Sequence, residues 1–278
     1  MAADIGVLVV HGMGTAPRDF AEPLIERLQA RLADLGVANG SVAWQAGLWS
    51  EHLDATERHA WERALSQGPV LSFLELRRFV LTALGDAVAY RRENRGGQNV
   101  YLRIHTSILE HLRALRATLG DDRPLVVLAH SLGSVIVSDY IWNAQRNHPW
   151  SLGKNAFECM HTLAGLVTFG STLPLFSLAV EPIQAIEFPP PQLTDPALRA
   201  AAAWHNYYDR HDILGWPIRT ISESYEAVVT ADHEINVGDA AVSWNPACHT
   251  RYWTDDDFVL PVAQQLERVI DAARIARH

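Results

Sequence analysis

The sequence predicts an α/β fold: a mostly parallel central sheet with helices on both faces. Two observations carry this expectation. Residues 5–10, 124–129 and 163–169 are continuous apolar runs, the pattern of strands buried on both faces. Amphipathic segments at helical spacing lie between and after them, so strand and helix alternate along the chain, as a parallel sheet requires.

Residues 5–10 end at His11-Gly12-Met13-Gly14. A helix is predicted over 20–35, with Leu24, Leu28, Leu32 and Leu35 on one stripe and Gly36 as its stop. A second strand follows at 41–45. From about 50 to 119 the chain is largely helical, with one stripe of Phe73, Leu76, Val80, Leu84 and Val88 and another of Tyr101, Ile104, Ile108, Leu112, Leu115 and Leu119, separated at Arg95-Gly96-Gly97. This insertion precedes the strand at 124–129; its stripes can pack on the sheet, or part of it can cap a pocket. Next come a helix over 132–145, a strand at 163–169, and a surface excursion over 187–196 carrying Pro189, Pro190, Pro191 and Pro196. A short strand at 204–208, a polar loop at 209–212, a less regular region and a closing helix from near Pro261 to 275 complete one domain spanning 1–278, in which no internal repeat is visible.

Composition narrows the function classes. With 48% hydrophobic and 20% charged residues the chain has the makeup of a globular protein. Acidic residues outnumber Lys and Arg by 32 to 23, and no basic stretch with interleaved aromatics occurs, which speaks against nucleic acid as a partner. The start of the chain lacks the basic region and cleavage site of a secretory signal, and the most apolar helical region is interrupted by Glu75, Arg77, Arg78 and Asp86. A cytoplasmic protein with no integral membrane segment is expected. Cys159 and Cys248 lie far apart without CxxC spacing, so both read as buried thiols.

The chemistry concentrates at Ala129-His130-Ser131-Leu132-Gly133, where a buried strand passes into a helix without an ordinary loop. A serine hydroxyl is a weak nucleophile until a base removes its proton and donors stabilise the resulting oxyanion. Small flanking residues allow a bend sharp enough to thrust Ser131 outward, and the helix start places the Leu132 amide and the positive dipole end beside it. The bland reading of Ser131 is a helix cap.

These motifs resemble the α/β-hydrolase superfamily, particularly its lipase- and serine-esterase-like branches, although A-x-S-x-G stands here for G-x-S-x-G. The resemblance implies that the backbone of His11-Gly12-Met13-Gly14 supplies a second oxyanion donor, the Met13 amide. Pro17 occupies the third glycine position of a dinucleotide fingerprint, so no nucleotide cofactor is implied. The superfamily order is nucleophile, acid and base, and the resemblance implies an acid that opens a D-x-apolar-x-x-P-like turn after a strand, which Asp212 to Pro217 fits better than Asp209, the competing carboxylate three residues earlier. His249, in a loop before the final helix, matches the base, and His233 is the alternative.

Other chemistry-bearing residues have ordinary readings. His52, His59, His105 and His111 fall on predicted helices, and His11 and His130 shape the loops near the proposed oxyanion site. His205, Asp209, His211 and Asp212 can be read as a metal cluster, but without an H-E-x-x-H pair or a second ligand segment no metal is assigned. The resulting expectation is a cofactor-independent serine hydrolase acting on a small-molecule carboxylic ester of acyl or lipid-like kind. A non-catalytic hydrolase-fold protein that binds a ligand or partner is the other class.

Overall fold

The computed structural model describes residues 3–14, 16–50, 90, 99–178, 181–239, 243 and 246–277. The helical stripe at Phe73 to Val88, and with it most of the cap expected over 50–119, lies outside the described residues, as do His52 and His59.

Six parallel strands form one sheet in the order β2-β1-β3-β4-β5-β6. They are β1 (Ile5–Val10), β2 (Val42–Gly47), β3 (Leu125–His130), β4 (Leu163–Phe169), β5 (Ala203–Asp209) and β6 (Ala231–Ile235). All residues of β1, β3 and β4 are buried, so the continuous apolar runs are strands covered on both faces. Strand β6 is different. It reads Ala-Asp-His-Glu-Ile and is only partly buried, because an edge strand needs little apolar surface; its polar sequence therefore reads as irregular chain.

Helices α1 (Glu22–Asp34), α2 (Val100–Leu119) and α3 (Leu132–Gln145) precede two short ones, α4 (Leu173–Ser177) and α5 (Pro196–Ala201). Then come α6 (Glu223–Val228) and the long closing helix α7 (Asp256–Ile275). One core layer packs α1 and α7 on Val7, Val9, Val126, Leu128 and Val167. The other packs α2 and α3 on Leu8, Val10, Val127, Ala129 and Leu166. Period-2 alternation along each strand thus divides the two layers. The stripe Tyr101, Ile104, Ile108, Leu112, Leu115 and Leu119 is buried along α2 and belongs to the second layer. Each such fully buried Leu contributes about 1.5–3 kcal/mol of transfer free energy.

Two helix boundaries follow from local hydrogen bonding. Helix α1 ends with Gly36 N–H donating to the Ala33 carbonyl and Val37 N–H to the Leu32 carbonyl, the paired bonds of a Schellman turn, with Val37 and Leu32 buried together. Helix α7 begins at Asp256, five residues before the Pro261 start that the sequence suggests. Asp255 caps it by accepting from Asp257 N–H at 3.0 Å, and burial of Phe258, Val259 and Val262 outweighs the one helical bond that Pro261 removes.

The chain runs from β1 outward to β2, then returns to place β3 on the other side of β1. That reversal opens a crevice at the carboxyl ends of β1 and β3, where ligands bind in open α/β sheets. His11 to Gly14 leave β1 there, and Ser131 leaves β3 there. Gly133 lets the two segments meet: a β-carbon at this position would lie 2.5 Å from the His11 carbonyl oxygen and 3.0 Å from that of Val10. Both obstacles are backbone, so Gly133→Ala is expected to lower stability by about 1–3 kcal/mol in urea unfolding. Unchanged stability would contradict this packing of α3 on β1.

Candidate active site at the switch point

Ser131 is the residue between β3 and α3, with φ 51° and ψ −124°, a left-handed conformation rare outside glycine. Its N–H donates to the Phe169 carbonyl at 3.0 Å. Its own carbonyl accepts from Ser134 N–H at 3.0 Å and from the Ser134 hydroxyl at 2.5 Å. Ser134 Oγ also lies 2.8 Å from Ser171 Oγ after β4, tying the turn to the neighbouring strand end. Ser131 is thus held by its backbone, with no side-chain cap bond to α3, and its hydroxyl is directed elsewhere.

That hydroxyl lies 2.9 Å from His249 Nε2. On the far side of the ring, Nδ1 lies 2.9 and 2.8 Å from the two carboxylate oxygens of Asp212. All three residues are buried. The geometry fits one tautomer, in which Nδ1–H donates to Asp212 and Nε2 accepts from the serine hydroxyl. Burial alone pushes the Asp212 carboxyl up, but the His249 hydrogen bond and charge, the Leu214 amide and the Tyr252 hydroxyl together hold it below its ordinary range. Asp212 is therefore a carboxylate at neutral pH.

Asp209 is turned elsewhere. Its carboxylate accepts from the N–H groups of His211 and Val237, both at 2.8 Å, and ties the loop after β5 to the chain after β6. His233 lies away from the serine, its Nε2 2.9 Å from His205 Nδ1. Of the four residues readable as a metal cluster, Asp212 faces His249, His205 faces His233, and His211 lies beside Asp209 with Nδ1 3.3 Å from its Oδ1; no group of three or more His, Cys, Asp or Glu side chains able to hold a metal ion occurs among the described residues.

The loop carrying Asp212 is pinned to the sheet by buried Asn206 on β5. Its Oδ1 accepts from Thr168 Oγ1 at 2.9 Å, while its Nδ2 donates to the Trp216 carbonyl at 3.0 Å and to Asp232 Oδ1 at 2.7 Å. Asp232 in turn accepts from the Ile218 and Arg219 amides, each at 2.9 Å. The segment carrying His249 packs through aromatic rings: the His130 ring lies tilted 4.8 Å from that of His249, and Phe169 lies 5.9 Å from Tyr252 and 5.3 Å from Trp253. Each such aromatic contact adds about 0.5–1.5 kcal/mol beyond area burial.

His130 does more than shape its loop. Its Nε2–H donates to the His249 carbonyl at 2.9 Å, fixing the backbone of the imidazole-bearing residue. His11 plays the matching part on β1, its Nδ1–H donating to the Gly12 carbonyl at 2.9 Å while Nε2 accepts from Trp49 N–H at 3.3 Å. Trp49 returns a bond to the His11 carbonyl and stacks on its ring. Neither contact has a local sequence signal, because the partners lie 119 and 38 residues away. The same holds for Ser171, which bonds Ser134, and for Tyr252, which bonds Asp209 and Asp212, all partners distant in the sequence.

Leu132 is the first residue of α3, so its amide has no acceptor within the helix. Met13 is half-buried in the loop after β1. That loop touches the serine: a β-carbon on Gly12 would sit 2.7 Å from Ser131 Cβ. Beside it opens a cleft of about 550 Å³, walled by Gly12, Met13, Phe20, His130, Thr250 and Trp253. No described helix is long and apolar enough to cross a membrane.

No protein-family model matches the chain, and no curated protein matches it. Among solved structures, one described as "LipS and LipT, two metagenome-derived lipolytic enzymes increase the diversity of known lipase and esterase families" is similar to it at 16% identity and a TM-score of 0.35, over 84% of this chain and 83% of that one.

Burial pushes both His11 and His130 down from 6.5 to about 3, the charge of His249 adding to the effect on His130. Below the unfolded value the denatured chain takes up protons that the folded chain refuses. The stability from these two neutral imidazoles is complete above about pH 6.5 and is lost as pH falls toward 3, since two protons are taken up by the unfolded chain alone across that window. Urea unfolding at about pH 7.5 and about pH 5 should show this loss, and a flat profile would contradict it.

Proposed function

We propose that the protein is a serine hydrolase of the α/β-hydrolase type that cleaves a carboxylic ester, of acyl or lipid-like kind, through an acyl-enzyme intermediate. The observation that carries this reading is the row of Ser131 Oγ, His249 and Asp212, linked at 2.8–2.9 Å at the sheet's switch point. A serine serving as a cap would bond its own helix through its side chain, and the Ser131 hydroxyl does not.

In the first half-reaction Ser131 Oγ attacks the ester carbonyl while its proton passes to His249 Nε2. The carbonyl oxygen becomes an oxyanion, for which the Leu132 and Met13 amides are the proposed donors, with the N-terminal dipole of α3 behind Leu132. Asp212 stabilises the imidazolium that forms. Collapse of the tetrahedral intermediate breaks the ester C–O bond, and the Nε2 proton goes to the departing alkoxide. Water then repeats the sequence on the acyl-enzyme: His249 takes its proton, the carboxylic acid leaves, and the proton returns to Ser131. The cleft beside Met13 and Trp253 supplies room for the ester next to these amides.

A fluorophosphonate probe, which requires an activated serine, and 4-nitrophenyl acetate, a short activated ester, together test this reading. Ser131→Ala is expected to abolish labelling and lower turnover by about three orders of magnitude or more, with stability nearly unchanged. His249→Ala should fall comparably, and the double variant no further, because the two act as one unit. Near-normal turnover in Ser131→Ala would overturn the nucleophile assignment.

A further inference from the structure

We infer that Tyr252 is a positioning residue for this reaction: its hydroxyl locks the Asp212 carboxylate in the orientation that serves His249, and the Asp209 backbone in turn orients that hydroxyl. This role presupposes the serine-hydrolase reading above.

Tyr252 is fully buried, three residues after His249. Its Oη accepts from the Asp209 N–H at 2.9 Å and lies 2.9 Å from Asp212 Oδ2. A backbone amide can only donate, so the single phenolic proton is left for the carboxylate. The other carboxylate oxygen, Oδ1, accepts from Leu214 N–H at 3.0 Å. Each oxygen therefore has its own donor in addition to the His249 Nδ1–H between them. Rotation about Cβ–Cγ that would carry an oxygen away from the imidazole breaks one of these bonds. The amide that orients the phenol is itself fixed, because the Asp209 carboxylate is held by the His211 and Val237 amides.

A tyrosine serving only the fold would fill its volume and satisfy the Asp209 amide. Tyr252 also touches the acid, so its effect should run through Asp212 and disappear where residue 212 has no charge to position. The groups facing that carboxylate are His249 on one side and Tyr252 on the other, and its charge also reaches Cys248 and His130.

The test is 4-nitrophenyl acetate hydrolysis by the full chain, by Tyr252→Phe, by Asp212→Asn and by the double variant. Loss of one charge-assisted hydrogen bond predicts that Tyr252→Phe lowers kcat about ten-fold or more at nearly constant KM. The acid limb of the pH profile should move to higher pH, since a donor that holds the carboxylate low is gone. In the Asp212→Asn background the same substitution should cost almost nothing further. A wild-type kcat and acid limb in Tyr252→Phe, or a loss that simply adds to that of Asp212→Asn, would overturn the inference. Should Tyr252→Phe fail to fold, 3,5-difluorotyrosine at position 252 keeps the size and donates more strongly, which should move the acid limb to lower pH; an unmoved limb overturns the inference equally. Fluorophosphonate labelling separates the two possible failures. A wild-type protein that is neither labelled nor active removes the serine-hydrolase reading and this role with it, whereas a labelled, active wild type matched by Tyr252→Phe removes only the role of Tyr252.

Discussion

Ser131 sits in a backbone conformation that costs about 1–3 kcal/mol for a residue with a side chain, and the surrounding structure has to supply that energy. It does so from three directions. The β4 end takes the Ser131 N–H, the first turn of α3 caps its carbonyl twice through Ser134, and the closeness of α3 to the β1 end depends on the missing β-carbon of Gly133. A relaxed backbone at this position would swing the hydroxyl away from His249. The remaining features of the site are arranged around this one strained turn.

The sheet order explains why partners from such distant parts of the chain converge. Strands β1 and β3 are neighbours although about 115 residues separate them, and their loops supply Met13, Ser131 and Leu132. The loop after β5 carries Asp212, and the segment before α7 carries His249. Two buried polar systems hold these last two in register. Asn206 and Asp232 stitch the loop after β5 onto the sheet, and His130 reaches from the β3 end to the carbonyl of His249. Buried polar groups of this kind are expensive unless satisfied, and here each is paired across elements, which fixes loop positions more sharply than apolar contacts could.

Much of this fold is legible in the sequence because burial on two faces leaves a plain signature. The runs at β1, β3 and β4 contain no charged residue and end in Gly, Ser or His, and the stripe from Tyr101 to Leu119 has the period of a helix on a sheet. Strand β6 is not legible, since Asp232, His233 and Glu234 do not form an apolar run and the edge position asks for none. Pro261 misleads about where α7 begins, because the cap at Asp255 governs the start. At the site, the strand-to-helix junction singles out Ser131 by residue types and spacing alone. The choice between Asp209 and Asp212 depends on which way two carboxylates three residues apart are turned, and that follows from amide donors at Val237 and Leu214 and the phenol of Tyr252. No local pattern encodes those contacts.

The most direct test of the central claim is a crystal structure of the protein after reaction with diisopropyl fluorophosphate. The account predicts phosphorus bonded to Ser131 Oγ, with the phosphoryl oxygen about 2.7–3.1 Å from the Leu132 and Met13 amide nitrogens. An adduct on any other residue, or a phosphoryl oxygen turned away from both amides, would contradict it.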